Sequence, residues 1–358
     1  MARAHRKPKE PKKKRAVAPR YGIAEWFGKD IAMLTAEERQ AFGQLSVRQM
    51  EASVRSLPDA PPCPFLETLL PGARCNKRGG VCSIRKYAPG PEKSGVAVPG
   101  DRIVTTCPTR FVADVEDGQS LFNWISGKML DTVKPIIVKE TPFLRKVSDS
   151  RLPVEAIRNE EVAADIEEEE EAEKKAGRID WLVVNPASMS ANDLEWAAVE
   201  TQALYFSGGK MITEFQAYAA APSDVLFPLG KRRPDYRSSG PKRLSPQLDV
   251  KVPVLGAWGK KVAIVIDKFF FDNMNRLDDV YTRGDERARR DNAAIVWFIV
   301  DYDDSLRLRT AEIHYTTLDS SRRALNATEP LLKAEFTANL KGVINNPQRT
   351  NKVFKPSE

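Results

Sequence analysis

Histidine is nearly missing from this chain: among 358 residues there are two, His5 in the N-terminal tail and His314 in an expected strand. A histidine general base or a histidine-rich metal site is therefore close to excluded, and His314 reads better as a packed sheet residue than as a proton carrier. Long apolar runs are missing as well. None approaches the roughly 18–20 residues that cross a bilayer, so no membrane partner is expected. No signal peptide precedes the cysteines and the N-terminus is highly charged, which points to a cytoplasmic protein rather than a secreted one. No internal repeat is visible. Cysteine is scarce, with four in all, and the paired C-x-x-C knuckles of ribbon-type fingers are absent. The rest of the composition, 42% hydrophobic and 29% charged, is that of a soluble globular protein of one to three domains.

The four cysteines are not scattered. Cys63, Cys75, Cys82 and Cys107 share one 45-residue stretch, with Gly79-Gly80 just before Cys82 and prolines after Cys63 and Cys107. Packing thiols would not cluster this way, whereas four soft ligands for one metal would; glycines beside a ligand let backbone N–H groups turn toward thiolate sulfur. A Cys₄ site is normally tetrahedral and structural, holding Zn or Fe. Disulfides are the main rival and unconnected thiols the third reading.

Charge is unevenly placed. Residues 1–20 carry nine Lys/Arg against one Glu, residues 228–261 nine Lys/Arg against two Asp, and residues 160–175 nine acids against two lysines, within a net charge of +7. A basic tail and a basic segment suit a polyanionic partner, because phosphate contacts release condensed counterions; solvated charge is the plain alternative. Arg232, Arg233, Arg237, Lys242 and Arg243 fall in a stretch rich in Pro, Gly and Ser, expected to be a loop that enters a groove. Arginine pairs bidentately with guanine, but most such contacts go to phosphate, so one or two of the five are expected to read bases.

Along the chain, residues 1–20, with Pro11-Lys12-Lys13-Lys14-Arg15, read as a disordered arm; the basic string also resembles a nuclear localisation signal, a weak pattern. Tyr21 to about Leu57 is expected to be helical, with Thr35 as an N-cap ahead of Glu37 and Glu38. Residues 58–110 form a Pro/Gly/Cys-rich module, and Pro135-Ile136-Ile137-Val138 a strand. The acidic stretch around 160–175 is expected to be an exposed insertion. Strands are expected over 179–184, 194–206, 262–266, 293–300 and 306–316, and helices over 210–220, 267–281 and 319–342. This is an α/β pattern with a mixed sheet.

Asp180 sits in the apolar run Ile179 to Val184, and Glu200 in Ala197-Ala198-Val199-Glu200-Thr201-Gln202. Burying a carboxylate in a sheet is costly unless a cation or dense hydrogen bonding compensates. With a turn centred near Ser190, position 180 lies opposite position 200, close enough for both acids to hold one Mg²⁺; a one-residue slip would send them to opposite faces. Gln202 shares the face of Glu200, and its amide can orient water.

These segments resemble the NotI-like type II restriction endonucleases. The likeness rests on Tyr21-Gly22-Ile23-Ala24-Glu25-Trp26-Phe27-Gly28, similar to an N-terminal helix signature of that family; on the segments around Cys63, Gly79 to Cys82, and Cys107-Pro108; and on Asp180-Trp181 with Glu200-Thr201-Gln202. The last pair is similar to the family's variant of the PD-(D/E)xK motif, in which Gln takes the usual lysine position. The resemblance covers roughly 21–340 and implies a PD-(D/E)xK restriction-endonuclease-like mixed sheet flanked by helices, following an N-terminal helix and Cys₄ module. It implies a basic arm at 1–20, a metal module over 21–115, a nuclease domain over 116–345 and a tail at 346–358. It further implies a homodimer that needs Mg²⁺ to cut a GC-rich palindromic duplex, an iron-type structural Cys₄ site, and a cognate DNA methyltransferase. Glu140 is the candidate third acid, with Glu155 equally arguable. A non-catalytic metal-finger DNA-binding protein, a PD-(D/E)xK repair or recombination enzyme, and an RNA-associated structural protein are the rival readings. Gel shift against discrete Mg²⁺-dependent fragments separates the first of these from an endonuclease.

Overall fold

The computed structural model describes residues 17–54, 57–115, 118–144, 177–208, 211–280, 285–326 and 331–346. Glu155, the acidic stretch 160–175, the string Pro11 to Arg15 and His5 lie outside the described residues.

The chain opens with a strand, not with the expected helix. β1 (Arg20–Trp26) is buried over six consecutive residues and pairs antiparallel with β2 (Lys29–Asp30) and with β3 (Val81–Pro89). Phe27 and Gly28, both at positive φ, turn the chain between β1 and β2. A Cβ on Gly28 would collide with the Pro64 ring, so this turn and the loop carrying Cys63 pack against each other only because Gly28 is glycine. The helix starts where its cap allows: α1 (Ala36–Glu51) begins after Thr35, with Thr35 Oγ1 accepting from Glu38 N and the Glu38 carboxylate accepting from Thr35 N. β4 (Gly95–Ala97) and β5 (Val104–Thr105) complete the first sheet on β3.

The second sheet has six strands in the order β13-β12-β11-β8-β7-β6. These are β6 (Ile136–Pro142), β7 (Arg178–Val184), β8 (Trp196–Thr201), β11 (Val262–Asp267), β12 (Ile295–Tyr302) and β13 (Leu308–Thr316). β8, β11 and β12 run parallel, while β6, β7 and β13 are antiparallel to their neighbours. β9 (Tyr205–Ser207) pairs with β10 (Arg233–Asp235) in a separate ribbon. α2 (Leu121–Leu130) packs on one face of the large sheet; α3 (Ile212–Ala220) packs on α1.

Residues 236–257 are helical, against the expectation of a groove-entering loop. α4 (Tyr236–Ser239) runs through a π turn over Gly240–Leu244 into α5 (Ser245–Ala257). Pro241 lies in the π turn and Pro246 just after it, where the wider turn makes room for the missing N–H groups, and Pro253 stands inside α5. Leu244, Leu248, Val252 and Leu255 recur at helical spacing and are buried on the large sheet. The expected helix over 267–281 shortens to α6 (Lys268–Asp272), capped by Asp267. α7 (Glu286–Asn292) precedes β12, and the stretch expected as one helix over 319–342 contains α8 (Leu318–Asn326) and α9 (Lys333–Ile344).

The two sheets are stitched together. Asp267, at the end of β11, accepts from Thr105 N at 2.6 Å and from Phe270 N at 2.7 Å, and Leu204 N donates to Thr105 O at 2.9 Å. Burial pushes the Asp267 carboxyl up to about 6 despite those bonds. His314 is a sheet residue as expected, stacked on Phe271 and bonded to Asp279 and Glu312.

Candidate active site

β7 and β8 meet in antiparallel register from Val184 opposite Trp196 to Trp181 opposite Val199, so the next step brings Asp180 opposite Glu200. The connection is held by Asn185 N bonding Glu195 O at 2.9 Å and by the Asn185 side chain capping Ala187 N. Asp180 and Glu200 therefore share the sheet face packed against α5. On the other side of β7, the β6 register passes from Lys139 opposite Trp181 to Thr141 opposite Ile179, leaving Glu140 beside Asp180. Glu140 has φ of 52°, a left-handed conformation that interrupts the ladder at this row.

The three acids meet different surroundings. Asp180 is half-buried, and its Oδ2 accepts from Thr201 N at 3.1 Å and Thr201 Oγ1 at 3.2 Å. Glu200 is buried at 2% exposure. Burial and then the Asp180 charge push its carboxyl up to about 8, with Lys251 pulling it part of the way back. Lys251 Nζ lies 2.7 Å from Glu200 Oε1, an ion pair off the hydrogen-bond direction, so this buried oxygen keeps no hydrogen-bond partner among the described residues. Glu140 is exposed, 2.9 Å from Lys139 and 4.0 Å from Arg178.

A cleft of about 350 Å³ opens over this row, lined by Glu140, Asp180, Gln202, Tyr205, Arg243 and Gln247 among others. Gln202 is half-buried and donates Nε2 to Ala203 O at 2.6 Å. Sequence reasoning missed Lys251 and Gln247. The available signal was a lysine within the apolar stripe Leu248, Val252, Leu255, a position that demands a buried anion.

The five basic residues expected at DNA separate. Arg232 is not on the surface: it is buried, with Nη1 2.6 Å from Glu214 Oε1, while that same carboxylate oxygen collects Leu229 N at 2.8 Å. The pairing with α3 turns it into a structural residue. Arg233, Arg237, Lys242 and Arg243 are exposed. Only Arg243 reaches the cleft, lying over the Tyr205 ring at 3.9 Å and donating Nη1 to Tyr205 Oη at 2.7 Å.

All four cysteines are buried and none is in a disulfide. Cys63 N bonds Ala73 O at 2.7 Å and Cys75 N bonds Pro61 O at 3.0 Å, which folds those two together; Cys107 N bonds Cys82 O at 3.2 Å, which joins the other two. Burial pushes the Cys75 thiol up to about 12 and raises Cys63 and Cys82 too, with the Cys107 sulfur adding to each. Among the described residues no three His, Cys, Asp or Glu side chains are grouped closely enough to hold a metal ion, at the cysteines or at the acids. No described helix is long and apolar enough to cross a membrane.

A family model described as restriction endonuclease NotI matches residues 48–314, a span that includes the four cysteines, the acid row and the α4–α5 segment. No curated protein and no solved structure matches the chain.

Proposed function

The chain belongs to the NotI restriction endonuclease family and is a type II site-specific deoxyribonuclease; we propose that it hydrolyses duplex DNA with a Mg²⁺ held by Asp180 and Glu200. The observation that carries this reading is the register that sets the buried Glu200 beside Asp180, the acid that lines an open cleft. Two carboxylates are what a Mg²⁺ ordinarily takes from a protein, the remaining ligands being waters and substrate phosphate. Bound there, the ion would lower the pKa of a water and offset charge on the attacked phosphate. Asp180 is kept in place by the two Thr201 donors. Gln202, on the same strand face, orients the attacking water through its amide, and Glu140 is the third acid, free to turn into the cleft from its exposed position.

The fold is read as the PD-(D/E)xK type, with 116–345 as its nuclease part and 21–115 as the metal-bearing part. The Cys₄ set is read as holding a structural Zn or Fe: of the four buried thiols, none in a disulfide, Cys63, Cys75 and Cys82 are costly to ionise alone and lose that cost when drawn around a shared cation. The target is read as a GC-rich palindrome cut by a homodimer, because a two-fold protein matches a two-fold site. Arg233, Arg237, Lys242 and Arg243 supply phosphate and guanine contacts. A cytoplasmic location and a cognate methyltransferase follow from a nuclease that must spare its own genome. Family membership goes against the non-catalytic DNA-binding alternative.

The test is direct. Asp180→Asn and Glu200→Gln should each abolish Mg²⁺-dependent cleavage while duplex binding survives; a folded variant of either kind that cuts at the parental rate ends the assignment. Sequencing the ends produced from a genome-length substrate gives the target.

A further inference from the structure

Among the described residues Lys251 is the one buried lysine, at 1% exposure, and it faces one of the two proposed metal-holding acids. It reaches Glu200 from a helix, not from the strand. Two residues beyond Glu200, just past the end of β8, stands Gln202, which carries no charge. Arg243 of the π turn lies on Tyr205 at the cleft and Gln247 of α5 lines it; one turn further on, Lys251 is enclosed beneath, with Nζ 3.4 Å from Gln247 Oε1 and 2.7 Å from Glu200 Oε1. Leu248, Val252 and Leu255 anchor this helix in the core, so the lysine head has little freedom to leave.

A lysine in that position has to be compensated, since an uncompensated ammonium in the core costs several kcal/mol. Glu200 is the carboxyl group that it meets, and the ammonium is compensated as that carboxyl ionises. The pair is asymmetric: Lys251 is enclosed on all sides, whereas Glu200 adjoins Asp180, which lines the cleft.

We infer that Lys251 is a positioning residue of the cleavage reaction, supplying from α5 the fixed cation that the Glu200-Thr201-Gln202 strand lacks and holding the Glu200 carboxylate in line with Asp180. Its enclosure keeps it from touching DNA, so it acts through Glu200. Gln247 steadies it from the side. The inference rests on the endonuclease reading of the acid pair.

The experiment uses the full-length chain carrying Lys251→Met or Lys251→Gln, the second retaining a neutral donor where the first leaves Glu200 unpaired. Single-turnover cleavage should fall about 100-fold in both, the size of loss that a misaimed catalytic group brings. Affinity for the duplex without metal should stay within about twofold, because the phosphate-facing residues are untouched. Calorimetric binding of Mn²⁺ alone should weaken about tenfold, because one of two carboxylates is no longer held. Should both variants be insoluble, Glu200→Gln combined with Lys251→Met removes both charges; recovery of solubility supports the direct pairing, and failure to recover overturns it. A folded Lys251→Gln chain with parental cleavage and parental Mn²⁺ affinity overturns the inference while leaving the acid pair intact. If Asp180→Asn also cuts normally, the endonuclease site itself is misassigned.

Discussion

Two buried glutamates, one in each sheet, show how differently the same pairing can be finished. Glu25 in β1 meets the buried Arg110, whose Nε approaches its two oxygens at 2.8 and 2.9 Å, and Ser83 Oγ donates to it at 2.6 Å. Both carboxylate oxygens are satisfied, and the guanidinium is sandwiched between the Phe65 and Tyr302 rings. Glu200 in β8 has a lysine in place of the arginine, a second acid alongside, and an oxygen left without a hydrogen bond. Burial of an ion pair is weak evidence of stabilisation in general. The distinction between a closed and an open carboxylate is what separates a strut from a working group here.

That contrast can be broken most sharply at Glu200. Glu200→Gln should reduce cleavage by about a thousandfold or more, the scale of losing a metal-holding or charge-stabilising group, read on protein that circular dichroism shows folded and beyond any stability lost by stranding Lys251. Arg110→Met should do the reverse, costing about 3–5 kcal/mol in denaturant unfolding by stranding Glu25, and any activity loss should track the unfolded fraction. If the two variants exchange these signatures, the assignment of roles is inverted.

A pH series sharpens the comparison further. The Glu200 carboxyl is pushed up to about 8 from an ordinary 4.5. A raised value means the folded state holds a proton that the unfolded chain would release, so this contribution to stability is complete below about 4.5 and is lost as pH rises through about 8. Metal-free protein should therefore melt at lower temperature at pH 8.5 than at pH 5 by an amount that Glu200→Gln removes; an unchanged pH slope in that variant would trace the effect to another group, Asp267 being the first alternative. Cys82→Ser should lower soluble yield together with bound Zn or Fe; a soluble, metal-free, fully active variant would count against a structural Cys₄ site. The smallest effect is expected at Arg243, where alanine should weaken duplex binding by about 1 kcal/mol and reduce the slope of log affinity against log salt by about one.

How much of this was legible beforehand follows from how local each feature is. The Asp180–Glu200 register could be read because strand alternation and the length of the intervening turn fix it within twenty residues. The Thr35 cap could be read because its partner Glu38 is three residues away. β11 and β12 announced themselves as apolar runs. Lys251 could not be matched to Glu200, because that contact depends on a helix crossing a sheet 51 positions away. Arg232 looked exposed for the same reason: it lies outside any helix, and its partner Glu214 is in α3. Tyr21 to Trp26 was mistaken for helix because its strand partner, β3, comes some sixty residues later. The prolines of 241–253 suggested a loop, but the π turn lets the helix pass two of them.

The π turn at Gly240–Leu244 sets the angular phase of everything that follows it. A helix advances about 100° per residue, so a wider turn acts as a rotary offset between α4, moored through Tyr236 Oη to Leu325 O, and the polar stripe of α5. Shortening it by one residue would swing Gln247 and Lys251 roughly a quarter-circle away from the acids while changing none of their identities. The dial that aims this nuclease's floor thus sits outside its chemistry, in five residues that a survey of reactive groups would pass over.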